Sequence, residues 1–188
     1  MRKPSILCER LPATITVDGV IIPIKCDFRR WILFVERMTE DDGGISKLMD
    51  AVKIVCPEHS LPDDPAERAS HLEELITQLG WFALCGEEVS QSDEHDSDNH
   101  SSELAGVPVF DFEFDAARII ASFMQAYGID LTEVSMHWWK FMALLRSLPP
   151  DSEFMRVVRL RRTDTAGIED DALRRRIRRA KAAVRIRK

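Results

Sequence analysis

The sequence predicts a mainly α protein that opens with a β-hairpin, and three observations carry that prediction. The stretch "ATITVDGVIIPI" alternates along two short runs joined by Asp18-Gly19, a dipeptide favoured in two-residue type I′ turns. Most later stretches repeat apolar residues every three or four positions, the period of an amphipathic helix. Between these stretches, "EEVSQSDEHDSDNHSSELA" carries acid and serine with almost no large apolar side chain. Such a stretch buries too little surface to offset its ordering entropy, so residues 87–106 read as an acidic flexible linker. The expected order is a hairpin with helices over 1–86, the linker, a helical-hairpin lobe over 107–162 and a basic helix over 163–188. The two lobes are expected to be antiparallel helix pairs.

Each element has its own warrant. Closing the Asp18-Gly19 turn pairs Val17 with Val20, Ile15 with Ile22 and Ala13 with Ile24, placing all six side chains on one face. A lone hairpin is marginal in water, so that face needs a cover, and the helix that follows is the natural lid. Asp27 is placed to cap it, and Phe28, Trp31, Ile32, Val35 and Met38 recur at helical spacing up to Asp41-Asp42-Gly43-Gly44. A shorter helix over about 45–56 turns Ile45, Leu48, Met49, Val52 and Val55 inward and stops at Pro57. Asp64, Pro65 and Glu67 form a marked helix start, followed by a stripe of Leu72, Leu75, Ile76, Leu79 and Phe82 that ends near Gly86.

Beyond the linker, Asp111 is placed to cap a helix over about 112–127 with Ala116, Ile119, Ile120, Phe123 and Tyr127 on its inner face. Gly128 is a left-handed stop, and Asp130 with Glu133 starts the next helix at once, which predicts an antiparallel pair. In that second helix Leu131, Val134, Trp138, Phe141, Leu145 and Leu148 form one seam, read as core. Trp139 and Met142 lie one position round and widen the stripe. They fit either the core or an apolar face offered to another chain, and on the second reading they are partner-binding residues. His137 reads as an exposed helix residue. The segment "SEFMRVVRLRR" suits a short strand or a short helix, and both stay open. The core is thus expected to include Trp31, Phe82, Phe123, Tyr127, Trp138, Phe141 and Leu145.

Charge is unevenly distributed. From Arg156 onward there are 13 Lys/Arg against 4 Asp/Glu, a net of +9, which leaves 13 against 28, a net of −15, for residues 1–155. The last helix has acid at its start and arginine through its body, in line with the helix dipole, and a narrow apolar line of Leu173, Ile177, Ala180 and Val184. Arg174, Arg175, Arg178 and Arg179 are its candidate partner-binding residues. They suit an acidic protein surface better than nucleic acid: the tail has no aromatic residue for base stacking, and the acidic body repels a polyanion.

Chemistry is hard to find in the pattern. The chain has no Gly-x-Gly-x-x-Gly, Walker, Gly-x-Ser-x-Gly or His-Glu-x-x-His motif, so no catalytic residue and no cofactor are expected. Cys8, Cys26, Cys56 and Cys85 form no Cys-x-x-Cys pair and read as reduced, mostly buried thiols. His95, His100, Asp93, Asp96 and Asp98 are metal-ligand types, but no rigid element fixes their geometry, so no metal is expected. Asp111, Glu113 and Asp115 stand where a helix start favours acid anyway. No apolar run approaches a membrane span or a signal-peptide core, which predicts a soluble protein that stays where it is made.

Four stretches, "VDGVIIPIKCDFRRWILF", "LITQLGWFALCGEE", "FDFEFDAARIIASFMQAYGIDLTEVSMHWWKFMALLRSLPPDSEFMRVV" and "DALRRRIRRAKAAV", resemble in order and spacing a family of small proteins of long-tailed phages and prophages of Gram-positive bacteria. The most specific part is Tyr127 to Leu131 followed by His137 to Phe141. In gene order this family lies between the major tail protein and the tape measure. The resemblance implies a tail assembly chaperone of the host cytoplasm, non-enzymatic, that keeps the tape measure protein soluble and meets other tail assembly proteins and copies of itself. The arginine density of the last helix and the acidity of the linker depart from the family pattern.

Overall fold

The computed structural model describes residues 4–5, 7–40, 44–87 and 109–186, and among these the chain forms one two-stranded hairpin and seven helices. Most of the acidic stretch, with its candidate metal ligands, and Asp41 to Gly43 lie outside the described residues. The fold is mainly α, as the periodicity requires. The chain divides into two compact units, one of residues 1–91 with 135–143, the other of residues 92–134 with 144–188.

The first unit opens with β1 (Thr14–Val17) and β2 (Val20–Pro23), antiparallel in the register Ile15 to Ile22 and Val17 to Val20. Asp18 and Gly19 both have positive φ, 49° and 75°, the geometry of the type I′ turn. Ile15, Val17, Ile22 and Ile24 are buried, whereas Ala13 and Val20 stay exposed, so four of the six expected side chains make the inner face. That cover is α3 (Pro65–Ala83), packed along β1, and not the helix that directly follows the hairpin. Instead α1 (Phe28–Thr39) packs on α2 (Ile45–Val55). Proximity in sequence is outweighed here by the longer stripe of α3, with Leu72, Leu75, Leu79 and Phe82 buried. Asp64 caps α3 as its sequence requires, accepting from the Ala66 and Glu67 N–H groups, and Pro65 takes the first helical position. On α2, Ile45 is exposed although the periodicity pointed it inward.

The turn of the hairpin is clamped to α3. The Asp18 N–H donates to Glu74 at 2.9 Å, and His71 Nδ1 donates to the Asp18 carboxylate at 2.5 Å. Because the carboxylate only accepts, a neutral His71 has a bare Nε2, which accepts from His59 Nε2 at 2.9 Å. His71 above all holds Asp18 below the usual carboxylate range, while burial, helped by the neighbouring His71, pushes His59 below the usual imidazole range.

In the second unit α4 (Ala116–Tyr127) packs on α6 (Glu153–Arg162), and α6 on α7 (Asp171–Ala183). Residues 153–162 are thus a helix, started by Ser152, whose hydroxyl accepts from Met155 N–H. Gly128, in the left-handed region at φ 65°, ends α4, its N–H bonding Met124 O in the 5→1 bond of an αL stop, with the Ile129 N–H reaching Phe123 O. α5 (Trp138–Arg146) belongs to the first unit through residue 143 and to the second from residue 144.

Two expected helix starts move. The helix expected from about 112 begins at Ala116, because Asp111 accepts from Phe114 N–H in a preceding turn and the Asp115 carboxylate is engaged elsewhere. The helix expected from Asp130 begins eight residues later, at Trp138. Asp130 does accept from the Thr132 N–H and hydroxyl, but the turn stops after Val134. From there the backbone pairs with the entry to α1: Phe28 N–H donates to Met136 O, Trp138 N–H to Cys26 O, and Asp27 faces His137 in a β-bridge. Backbone groups bonded across to another segment are not free to close helical turns, so the tight helix pair expected around Gly128 does not form there.

Candidate interaction site

The residues expected to carry partner binding fall into two places, the Trp138-Trp139 segment of the first unit and helix α7 of the second. At Trp138 the chain enters α5 under an unusual cap. His137 Nδ1 accepts from Trp139 N–H at 3.1 Å while its Nε2–H donates to Pro12 O at 2.9 Å. Both bonds require the neutral Nε2–H tautomer. Burial lowers the pKa of His137 and outweighs the Pro12 carbonyl, which favours the charged ring. His137, expected on an exposed helix face, is therefore a half-buried capping residue.

The two adjacent indoles reach adjacent carbonyls. Trp138 Nε1 donates to Ala83 O and Trp139 Nε1 to Phe82 O, each at 2.9 Å. These carbonyls belong to the last turn of α3, where Phe82 O also accepts from Cys85 N–H at 3.0 Å, so the tryptophans help to close the end of that helix. Trp31 completes the set by donating Nε1–H to Lys25 O at 2.8 Å. The rings then pack: Trp31 stacks on Phe82 at 4.4 Å between centroids, Phe28 on Phe141 at 4.7 Å, and Trp81 meets Trp139 edge-on at 5.5 Å. Trp139 is 1% exposed and Trp138 2%. Of the two readings of Trp139, the offered face does not describe this arrangement: its ring is interior and its one donor is used. Met142 is half-buried. Trp31, Phe82, Phe123, Trp138, Phe141 and Leu145 are buried core, and Tyr127 is half-buried, its hydroxyl donating to Leu144 O at 2.9 Å. Burial pushes Cys26 up to about 11 and Cys56 to about 12, so both stay protonated thiols at neutral pH. Cys85 is also buried, and Cys8 is exposed.

In the second unit one acid escaped the sequence reading. Asp115, grouped with Asp111 and Glu113 as an ordinary helix-start acid, is 0% exposed. Arg161 grips it with two bonds, Nη1 to Oδ2 at 2.6 Å and Nη2 to Oδ1 at 2.9 Å, and Arg118 adds a third at 2.9 Å. The remaining donors of Arg161 reach Val109 O at 3.1 Å and Val184 O at 2.7 Å. One guanidinium thus joins the start of α4, α6, the approach to α4 and the end of α7. A spacing of 46 residues between the partners left no local signal.

Helix α7 is held to the segment before it by polar groups, Lys181 donating to Thr163 O and Arg178 to Thr165 Oγ1, while Arg174 pairs with Asp171 within the helix. None of its residues is buried, and Leu173 is 45% exposed. Arg175, Arg176 and Arg179 are exposed and have no hydrogen-bonding or ionic partner among the described residues. At about 100° per residue they span one arc of roughly 100°, turned away from the apolar line of Ile177, Ala180 and Val184. A second open face lies on α4. Ala117, Ala121 and Met124 are exposed at spacings of four and three beside the half-buried Ile120, with no charged residue among them. The periodicity could have identified it: the inner face assigned to α4 leaves these positions outside.

Among the described residues no group of three or more His, Cys, Asp and Glu is arranged to hold a metal ion, and no helix is long and apolar enough to cross a membrane. What the described residues do present is helix faces, one basic and one uncharged, around aromatic and ionic interiors. They define a mainly helical protein. The chain belongs to the Bacteriophage Gp15 protein family, whose sequence model matches residues 7–186. No curated protein and no solved structure matches it.

Proposed function

We propose that this phage protein is a tail assembly chaperone that binds the tape measure protein and keeps it soluble in the host cytoplasm, without catalysis, together with other tail assembly proteins. The observation that carries the reading is the open face of α4. An uncharged stripe of Ala117, Ile120, Ala121 and Met124 suits the apolar face of a client helix, with alanines allowing close approach of the backbones. The family membership supports it by placing the chain among bacteriophage proteins. The client contact is hydrophobic in this reading, and α7 adds charge-guided docking on acidic surfaces, including those of other copies.

Co-expression of a tape-measure fragment with the wild type and with Ala121→Glu tests the proposal. A glutamate on that face should sharply reduce the soluble fraction of the fragment while the circular dichroism of the variant stays unchanged. Equal rescue by the folded variant removes this face from the reading. A chaperone leaves before the particle is complete, so mass spectrometry of purified virions should find none of it; finding it there favours a structural tail component. The arginine face of α7 favours a second reading, association with nucleic acid through phosphate contacts. Filter binding of DNA and RNA over a salt series separates the two, since absence of salt-sensitive retention at low ionic strength eliminates the second.

A further inference from the structure

One side chain of α3 fastens two other segments of the first unit. His71 Nδ1 donates to the Asp18 carboxylate in the hairpin turn at 2.5 Å, and its Nε2 meets the Nε2 of His59 at 2.9 Å. His59 stands in residues 56–64, the connection from α2 to α3. The two ring centroids lie 5.1 Å apart and the planes within 20°, which is nearly the largest separation that a 2.9 Å contact between ring nitrogens permits. The imidazoles therefore meet head to head, each nitrogen aimed at the other. The line between those nitrogens has room for one hydrogen and not for two.

Three protonation states follow. With both rings neutral, His59 Nε2–H donates to the bare Nε2 of His71. One added proton still leaves a single hydrogen on the line, makes the bond charge-assisted and sets the charge beside the Asp18 carboxylate. A second puts a hydrogen on each facing nitrogen, so the bond is lost and two imidazoliums repel at contact distance. The surrounding charges decide which ring leaves. On the hairpin turn, Asp18 faces His71 and donates its own N–H to Glu74; on α3, Glu67 and Glu74 lie within one helical turn of His71, and Arg68 is committed to Pro62 O and Asp63 O. On the connection, Glu58 is paired with Lys25, Cys56 is a buried neutral thiol, and no carboxylate is bonded to the His59 ring. Acids thus hold a charged His71 in place, whereas burial, helped by the neighbouring His71, keeps His59 below the usual imidazole range.

We propose that the His59–His71 contact is an acid-released latch: uptake of the second proton expels His59 and frees residues 57–61 from α3, while the bond from His71 to Asp18, by then a salt bridge, keeps the hairpin clamped. The latch is whole at neutral pH, survives the first proton and opens as pH falls through the folded-state value of His59, below about 6.5. Asp18 stays ionised over that range, because the bond from His71 above all holds its carboxyl below the usual value. Amide hydrogen exchange on the full chain at pH 7.5 and pH 5, corrected for the intrinsic rate, tests it. Protection at Glu58, His59 and Ser60 should fall by up to about tenfold per pH unit, the yield of one proton taken up on opening, while Ile15 and Ile22, paired across the hairpin, keep theirs. Imidazole 15N shifts should show the pair titrating in two separated steps, the lower one coinciding with that loss. In His59→Phe the exchange of the same segment should lose its pH dependence. Joint loss of protection in the segment and the hairpin overturns the proposal, since that is acid unfolding of the whole unit. Unchanged protection in the wild type overturns it as well, and so does the same pH dependence in His59→Phe.

Discussion

At Trp139 an indole does two things at once: it fills space against Trp81 and Phe82, and it satisfies a carbonyl at the end of α3. Met142, one helical turn on, is only half-buried. Trp139→Ala should therefore cost about 3–5 kcal/mol of stability, a large cavity in a closed core, and Met142→Ala distinctly less, both read from urea midpoints. Similar small losses for the two would mean that Trp139 is not interior. Asp115 poses a harder problem, because its partner Arg161 is also shielded from water. Asp115→Asn leaves a buried guanidinium without its counter-charge and should destabilise by about 3–5 kcal/mol in the same measurement. A loss near zero would show the pair to be hydrated. Neither residue differs, in local sequence, from neighbours with plain roles. Trp138 and Trp139 were legible as a water-excluding cluster from the stripe they share. That each indole would close a carbonyl some 55 residues away was not legible, since the partner is chosen by packing.

Among the elements, those specified by local chemistry appear where the sequence puts them. The Asp18-Gly19 turn needs two positive φ angles, which this dipeptide tolerates, and the start of α3 needs acceptors for free N–H groups, which Asp64 supplies. Asp64→Ala should cost about 1 kcal/mol, seen as a lower urea midpoint with an unchanged slope. Residues 130–137 show the opposite case. Asp130 makes the local bonds of a helix start, yet the helix is abandoned because Met136 O and Trp138 N–H pair with Phe28 and Cys26. A periodic stripe cannot distinguish one long helix from a turn, an extended segment and a short helix that bury the same side chains. Leu131, Trp138, Phe141, Leu145 and Leu148 are indeed all buried, although only three of them lie in α5.

For the whole molecule, acidification acts in one direction. His59 and His137 are both held below the usual imidazole range, chiefly by burial. As pH falls below about 6.5 the unfolded chain takes up protons that the folded chain refuses, so stability declines from there until the folded values are reached. Asp18 and Asp130, held low by hydrogen bonds with His71 and Thr132, contribute stability that is present above about pH 3.9 and is lost as pH falls through their folded values. Urea midpoints should thus hold near pH 7.5, fall as pH drops below about 6.5 and fall again below about pH 3.9. His137→Gln should weaken the upper part of that decline, and an unchanged profile would assign it to His59 alone. The charge asymmetry also belongs to this scale, since a +9 C-terminal region on a −15 remainder makes any docking by α7 sensitive to salt.

The sequence by itself determined the class of fold, the hairpin and its turn, the caps of α3 and of α1, where Asp27 accepts from Arg29 N–H, the left-handed stop at Gly128, the basic helix and most of the buried apolar set. All of these follow from interactions within a few residues or from periodicity, which a linear pattern records. Only the tertiary structure decided that α3 covers the hairpin, that α5 starts at Trp138 under a histidine cap, that Trp139 faces inward and that Asp115 is gripped by Arg161. Each of these is a choice between partners distant in the chain, set by which surfaces exclude water best together and which buried polar groups then find a bond, and no stretch of sequence contains both sides of that choice.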